Sequence, residues 1–295
     1  MASTDNITIV TATDNHYMVL LAALIKSIEI NHTTEQYIDF YIVGDKLSKR
    51  NINRLNASVS SDKIIVHWLE MDKIIPEGMN LPKDKSSYPS NIYMRLFIPY
   101  FLPAGIDKII YLDVDMIALR DVSELWTIDI GTNIVGAVQD LIKTVGDPQG
   151  GIGNYHELGM DKNAKYFNTG LLIIDRKKWL DYGVTEKVLH CVELNTNFAS
   201  LPDQYGLNVV LYKKWHELNP LWNTYSSLPV KSPYIIHFFH RKPIYKTYDK
   251  NQEYKEIFYQ FLGQTPWKDY KPVNEWKRYV KKLMNVIQKK LSFSR

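Results

Sequence analysis

Two aspartates one residue apart, Asp113 and Asp115 around Val114, interrupt the strongest strand signal in the chain, Lys108 to Leu119 (KIIYLDVDMIAL). Residues two apart on a strand project from the same face, so this spacing predicts that both carboxylates reach one ion. Carboxylates that close repel each other, and burial adds to the cost of the charged forms; a bound divalent cation removes both penalties. A D-x-D triplet also occurs in solvated loops, so it needs a third partner to carry weight. His237 is a candidate, because it ends the apolar run Tyr234-Ile235-Ile236-His237 and precedes Phe238-Phe239-His240-Arg241-Lys242-Pro243. The competing reading of His237 is a core imidazole hydrogen-bonded to backbone. Two carboxylates and an imidazole suit Mn²⁺, whereas Mg²⁺, the alternative ion, prefers oxygen ligands only. Lys242 is either a point charge for a phosphate or a solvated surface lysine.

The elements that would position these residues read as an α/β chain. Ile7 to Thr13 (ITIVTAT) has the apolar content of a buried strand, and Met18 to Ile30 is apolar on most faces, as a helix covering a sheet would be. Ile38 to Val43 and Ile64 to Leu69 are further β-branched and aromatic strands, separated by a polar helical segment around Leu47 to Val59. Asn91 to Leu102 predicts a short helix that stops near Pro99 and Pro103. Ile134 to Val138, Phe167 to Ile174 and Tyr234 to Phe238 complete the strands. Strands alternating with helices imply a largely parallel sheet with its ligand at the carboxyl ends of the strands. Gly146 to Gly159 predicts a long functional or mobile loop.

Several linked motifs resemble one family. Thr11-Ala12-Thr13-Asp14-Asn15-His16-Tyr17, Tyr93-Met94-Arg95-Leu96, Tyr111-Leu112-Asp113-Val114-Asp115, Phe167-Asn168-Thr169-Gly170-Leu171-Leu172, Asp203-Gln204 and His237 to Pro243 occur in this order. Together they look like family 8 of the retaining glycosyltransferases, which includes bacterial galactosyl- and glucosyltransferases of lipooligosaccharide and glycoprotein glycans, and the glycogenins. The resemblance runs from about Ile7 to Pro243. It implies a GT-A fold, a Rossmann-like α/β domain with a mixed, mainly parallel sheet, that binds a UDP-sugar and Mn²⁺. By that resemblance Asp113, Asp115 and His237 match the metal ligands, and Ala12, Asp14 and Tyr17 match the turn that holds uracil and ribose. Arg95, Asp140, Asn168, Asp203 and Gln204 match positions lining the donor sugar, with Gln204 near the anomeric carbon; Val114, His240 and Lys242 complete the donor-binding set. The family usually has Gly three residues after the ligand histidine and a longer gap before its Lys-Pro; this chain has His240 there and a loop one residue short. His240 or Arg241 is therefore expected to supply a phosphate contact.

Breaking the bond to a nucleoside diphosphate builds positive charge on the sugar ring and negative charge on the leaving group, which a cation and Lys242 would stabilise. Asp203 and Gln204 are the catalytic candidates. Gln204 is a poor nucleophile, so a front-face displacement is favoured over a covalent glycosyl-enzyme. The donor reads as UDP-galactose or UDP-glucose and the acceptor as a glycan, glycoprotein or glycolipid, its site expected in the Gly146 to Gly159 loop and the C-terminal part. A phosphatase of the haloacid dehalogenase type would have Thr or Val where Ile117 stands and its D-x-D near the first strand. A non-catalytic UDP-sugar-binding or scaffold protein of the same fold is the alternative reading.

Apolar residues make up 45% and charged residues 23% of the 295 residues, enough to bury a full core. The net charge of +4 is small and concentrated at the C-terminus, which argues against nucleic acid as a partner. Cys191 is the only cysteine, as suits a reducing compartment. Met1 to Asn6 lacks the basic cluster of a secretory signal, and Met18 to Ile25 is too short to span a bilayer, so a cytoplasmic protein is expected. The division expected is a catalytic domain over 1–262 and a basic, helical extension over 263–295. In that extension Trp276, Tyr279, Val280, Leu283, Ile287 and Leu291 recur at helical spacing among lysines and arginines. This suits a helix lying on the inner face of the plasma membrane, or a terminal helix docked on the catalytic domain.

Overall fold

The computed structural model describes residues 6–276 together with 280 and 287. The chain opens with β1 (Ile7–Asp14), α1 (Met18–Asn31), β2 (Ile38–Asp45), α2 (Lys49–Asn56), β3 (Ile64–Glu70) and α3 (Met71–Ile74). Met18 to Ile28 are all buried, which is why the apolar residues of α1 form no single stripe. By contrast α2 buries only Leu55 and is capped by the Ser48 hydroxyl, which accepts from the Asn51 N–H. A long irregular segment leads to a 3₁₀ helix (Ser90–Phe97) and α4 (Ile98–Phe101). The helix expected from Asn91 to Leu102 is thus divided, and Pro99 does not stop it. Pro99 stands in the first turn of α4, where a missing N–H forfeits no hydrogen bond.

There follow β4 (Lys108–Leu112), β5 (Met116–Ala118), α5 (Val122–Trp126), β6 (Val135–Thr144), β7 (Lys165–Asp175), α6 (Arg176–Tyr182), α7 (Val184–Leu194) and α8 (Pro202–Val210). The chain then runs through β8 (Trp215–Glu217), a 3₁₀ turn (Pro220–Asn223), β9 (Thr224–Tyr225), β10 (Ile235–His237) and α9 (Gln252–Leu262). The larger sheet has the order β3-β2-β1-β4-β7-β6-β8. All its pairings are parallel except those of β7, which runs against both β4 and β6. Alternate residues of its strands enter two separate cores. Ile9, Phe40, Ile110 and Ile173 pack with α1 on one side, whereas Val10, Tyr41, Ile109 and Leu172 pack with Tyr93, Trp179 and Leu207 on the other. That is the two-residue period of strands covered on both faces.

Lys108 to Leu119 does not form one strand. Backbone pairing stops at Asp113: β4 ends in the large sheet, and β5 belongs to a second sheet of order β5-β10-β9. The Asp113 N–H donates to the Gly170 carbonyl at 2.8 Å, and the Asp115 carbonyl accepts from the Phe238 N–H at 2.9 Å. The two aspartates therefore stand in a turn between sheets, each tied to a different neighbour, and their convergence comes from that turn rather than from strand alternation.

From Leu262 to Val273 the chain stays on the body of the protein: Trp267 enters the core, and Val273 bridges Tyr245. Trp276, Val280 and Ile287 are exposed. The rest of the amphipathic pattern expected beyond Trp276 lies outside the described residues. Among the described residues no helix is long and apolar enough to cross a membrane.

Asp121 joins α5 to the end of α1. Its carboxylate accepts from the Ser123 N–H at 2.8 Å, the Thr33 N–H at 2.6 Å and His32 Nδ1 at 3.0 Å. Burial alone would raise its pKa, but these donors together outweigh burial and hold the carboxyl well below the usual range. A depressed folded-state pKa gives stability that is present above the unfolded value of about 3.9 and is lost as pH falls through the folded value. Asp121→Asn is expected to lower stability at pH 7 by about 2 kcal/mol. In urea melts the gap from wild type should narrow below about pH 4; an equal gap at pH 3 and pH 7 would refute this account.

Candidate active site

A cavity of about 500 Å³ opens at the carboxyl ends of β1 and β4. Its walls include Ala12 and Asp14 from the end of β1 and Tyr17 from the turn before α1, Arg95 from the first 3₁₀ helix, and Asp113, Val114 and Asp115 from the turn between sheets. Asn168 of β7, Asp203 and Gln204 of α8, and His237, His240 and Lys242 at and beyond the end of β10 close the remaining sides. Of the residues expected in the site, Asp140 and Arg241 do not line it. Asp140 is buried one layer behind, where its carboxylate accepts from Asn168 at 2.8 Å and from the Tyr225 hydroxyl at 3.1 Å. The Gly146 to Gly159 loop contributes nothing to this cavity.

Asp113, Asp115 and His237 come together, one ligand atom from each lying within 4.8 Å of the others. Asp115 and His237 are buried, and Asp113 is partly so. His237 Nε2 faces Asp115 Oδ1 at 3.5 Å, while its Nδ1 is 2.9 Å from Asn223 Oδ1. Burial alone would raise the pKa of Asp115, but Lys242 and His237 hold it well below the usual carboxylate range. The Lys242 ammonium touches Asp115 directly and donates to the Phe238 carbonyl at 2.9 Å. A cation already sits on Asp115, which is the charge balance that a divalent ion would also supply. The oxygen and nitrogen donors of Asp113, Asp115 and His237 and their spacing fit a divalent metal ion.

Arg95 links the metal-type cluster to α8. Its Nη2 is 3.1 Å from Asp113 Oδ1, and its Nε is 3.1 Å from Asp203 Oδ2. Burial would lower the pKa of Arg95, but Asp113, Asp203 and Asp115 push it up, so the guanidinium stays charged. For Asp203 burial prevails over Arg95, and its pKa is raised. Asp14 turns its carboxylate to the N–H groups of His16 and Tyr17 at 2.9 and 3.0 Å, which shapes the turn before α1. His16 Nε2 lies 2.8 Å from the Tyr245 hydroxyl. Gly170 has no room for a side chain: a Cβ there would lie 2.7 Å from His237 Cε1 and 2.9 Å from Asp113 Oδ2.

Residues 8–257 match the family model described as Glycosyl transferase family 8. The chain belongs to glycosyl transferase family 8. It is 30% identical over 264 residues to General stress protein A of Bacillus subtilis (strain 168), covering 88% of this chain and 86% of that protein. It is 27% identical over 299 residues to Lipopolysaccharide 1,2-glucosyltransferase of Escherichia coli (strain K12), covering 92% of this chain and 83% of that protein. The galactosyltransferase LgtC, solved with donor and acceptor sugar analogues, has a TM-score of 0.72 at 23% identity, covering 90% of this chain and all (100%) of that one. That likeness speaks for the fold: the mixed, mainly parallel sheet of this family 8 chain is the GT-A fold. As a glycosyltransferase, the family 8 chain takes a sugar donor and a glycan acceptor.

His240 stands where family 8 usually has glycine, and it adopts φ 63°, a left-handed backbone that glycine reaches without strain. Arg241 does not line the cavity; it donates to Asp249 at 2.8 Å and to the Thr247 carbonyl at 3.1 Å. Of the two residues expected to meet a phosphate, only His240 faces the cavity. Arg241→Ala should leave UDP affinity within about twofold of wild type by calorimetry, since an exposed ion pair is worth little. A tenfold loss would return Arg241 to the site. Gly170→Ala should displace His237 or Asp113 and weaken Mn²⁺ binding about tenfold or more, as other disturbances of ligand support do; unchanged titration of Mn²⁺ by electron paramagnetic resonance would contradict this.

Asn223, Gly170 and the wall formed by Ser87, Tyr88 and Pro89 escaped the sequence reading. Gly170 carried a visible signal as part of Asn168-Thr169-Gly170. Asn223 carried none, because it belongs to a short irregular segment with no period.

Proposed function

We propose that this glycosyltransferase moves a hexose, galactose or glucose, from a UDP-sugar to a glycan or glycoconjugate acceptor, with retention of anomeric configuration and dependence on Mn²⁺. The observation that carries this reading is the meeting of Asp113, Asp115 and His237 in one wall of the cavity, with Lys242 beside them. Asp113, Asp115 and His237 would hold the ion, which offsets the charge that develops on a departing diphosphate. Lys242 is placed to add a positive charge beside the same phosphates, while Ala12, Asp14, Tyr17 and Val114 shape the nucleotide end. Arg95, Asn168, Asp203 and Gln204 would hold the sugar, and Asp140 would support that layer from behind.

Both catalytic candidates, Asp203 and Gln204, are already committed. Asp203 is paired with Arg95, and Gln204 Oε1 accepts from the Thr169 N–H at 3.2 Å. Neither arrangement suits a nucleophile, which supports front-face displacement over a covalent intermediate. Two similar proteins, a lipopolysaccharide glucosyltransferase and the galactosyltransferase LgtC, divide between glucosyl and galactosyl transfer, so the donor stays a choice between these epimers. Contact of the basic tail with the inner face of the plasma membrane belongs to the same proposal and would bring the enzyme to lipid-linked acceptors.

UDP release from a panel of UDP-sugars, measured with and without Mn²⁺, tests the reading. Wild type should consume one hexose donor in a metal-dependent manner, and Asp115→Ala should lose roughly a hundredfold or more of that rate. Equal release by the variant, or release indifferent to Mn²⁺, would sink the proposal.

A further inference from the structure

Behind the cavity wall a line of amides joins His237 to Gln204, and its hydrogen bonds admit one direction only. A histidine that ligates through Nε2 carries its proton on Nδ1, so Asn223 must present Oδ1 to it, at 2.9 Å. The Asn223 amide nitrogen then faces Asn168 Oδ1 at 2.9 Å. Asn168 Oδ1 also accepts the Gly170 N–H at 2.9 Å, so two donors fix which way that amide points. Its Nδ2 therefore turns to Asp140 Oδ2 at 2.8 Å and to Gln204 Oε1 at 3.2 Å. Gln204 Oε1 accepts from the Thr169 N–H as well, which leaves Gln204 Nε2 to donate to Asp140 Oδ2 at 3.3 Å.

We infer that Asn223 is a positioning residue that ties the imidazole of the metal site to the amides of the donor-sugar site. The inference rests on the proposed reading of His237 as a metal ligand. Asn223 is 1% exposed and does not line the cavity, so it acts only through His237 and Asn168. Turning its amide over would set NH₂ against the His237 N–H and oxygen against Asn168 Oδ1, losing both bonds at once. The orientation of His237 and that of Asn168 and Gln204 are consequently one setting rather than two.

Two variants of the full chain separate this role from simple packing. Asn223→Ala removes the acceptor for His237, and Mn²⁺ affinity, read by electron paramagnetic resonance of the free ion, should fall about 10- to 100-fold. Asn223→Asp keeps an acceptor for His237 but has no NH₂ for Asn168. It should bind Mn²⁺ within about threefold of wild type while UDP release falls roughly tenfold or more. Wild-type Mn²⁺ affinity in Asn223→Ala would overturn the inference, as would parallel loss of metal binding and turnover in Asn223→Asp. Absence of Mn²⁺ binding in wild type would overturn the metal reading itself, and the inference with it.

Discussion

Repulsion between Asp113 and Asp115 is the constraint around which this protein is arranged. Their carboxylates converge in a turn whose two ends are pinned by different partners, Gly170 of the large sheet and Phe238 beyond the small one. Left uncompensated, such a pair at a low-dielectric wall would drive one member to protonate. The chain answers with cations from two directions: Arg95 on Asp113 and Lys242 on Asp115. Each comes from an element remote in sequence. The small sheet brings β10, and with it His237 and the segment carrying Lys242, to the break in Lys108 to Leu119.

The fold supplies stiffness where this charge is gathered. β7, the one strand of the large sheet that runs against both its neighbours, carries Asn168, Thr169 and Gly170 past the end of β4, so backbone and side-chain groups both face the site. Gly170 lets His237 and Asp113 approach where any side chain would part them. Behind them Asn223, Asn168, Gln204 and Asp140 satisfy one another, which keeps a buried polar layer from losing its hydrogen bonds. The nucleotide end is simpler: Asp14 caps its own turn and leaves Tyr17 at the wall.

Much of this was legible beforehand. Apolar runs of six or seven residues announced β1, β2 and β3, and the all-round apolar α1 announced a layer over a sheet. Every residue expected in the site except Asp140 and Arg241 lines the cavity, because linked motifs carry positions that no single triplet carries. The errors share a cause. Lys108 to Leu119 looked like one strand because hydrophobicity continues across the aspartates, whereas pairing does not; Pro99 looked like a stop because its permitted place in a first turn depends on where the helix begins. Arg241 and His240 were indistinguishable as phosphate partners until Asp249 claimed the arginine.

Residue types and local order by themselves determined that this chain is an α/β protein, which strands are buried, and which side chains could hold a cation or a diphosphate. Those properties follow from periodicity and from functional groups, which are written locally. Only the tertiary structure decided that Asp113 and Asp115 meet His237 in a turn between two sheets, that Asp140 stands behind the sugar-side amides, and that Asn223 orients the imidazole. These depend on contacts between residues from 14 to more than a hundred positions apart. Their hydrogen-bond directions are set by partners that no local pattern names.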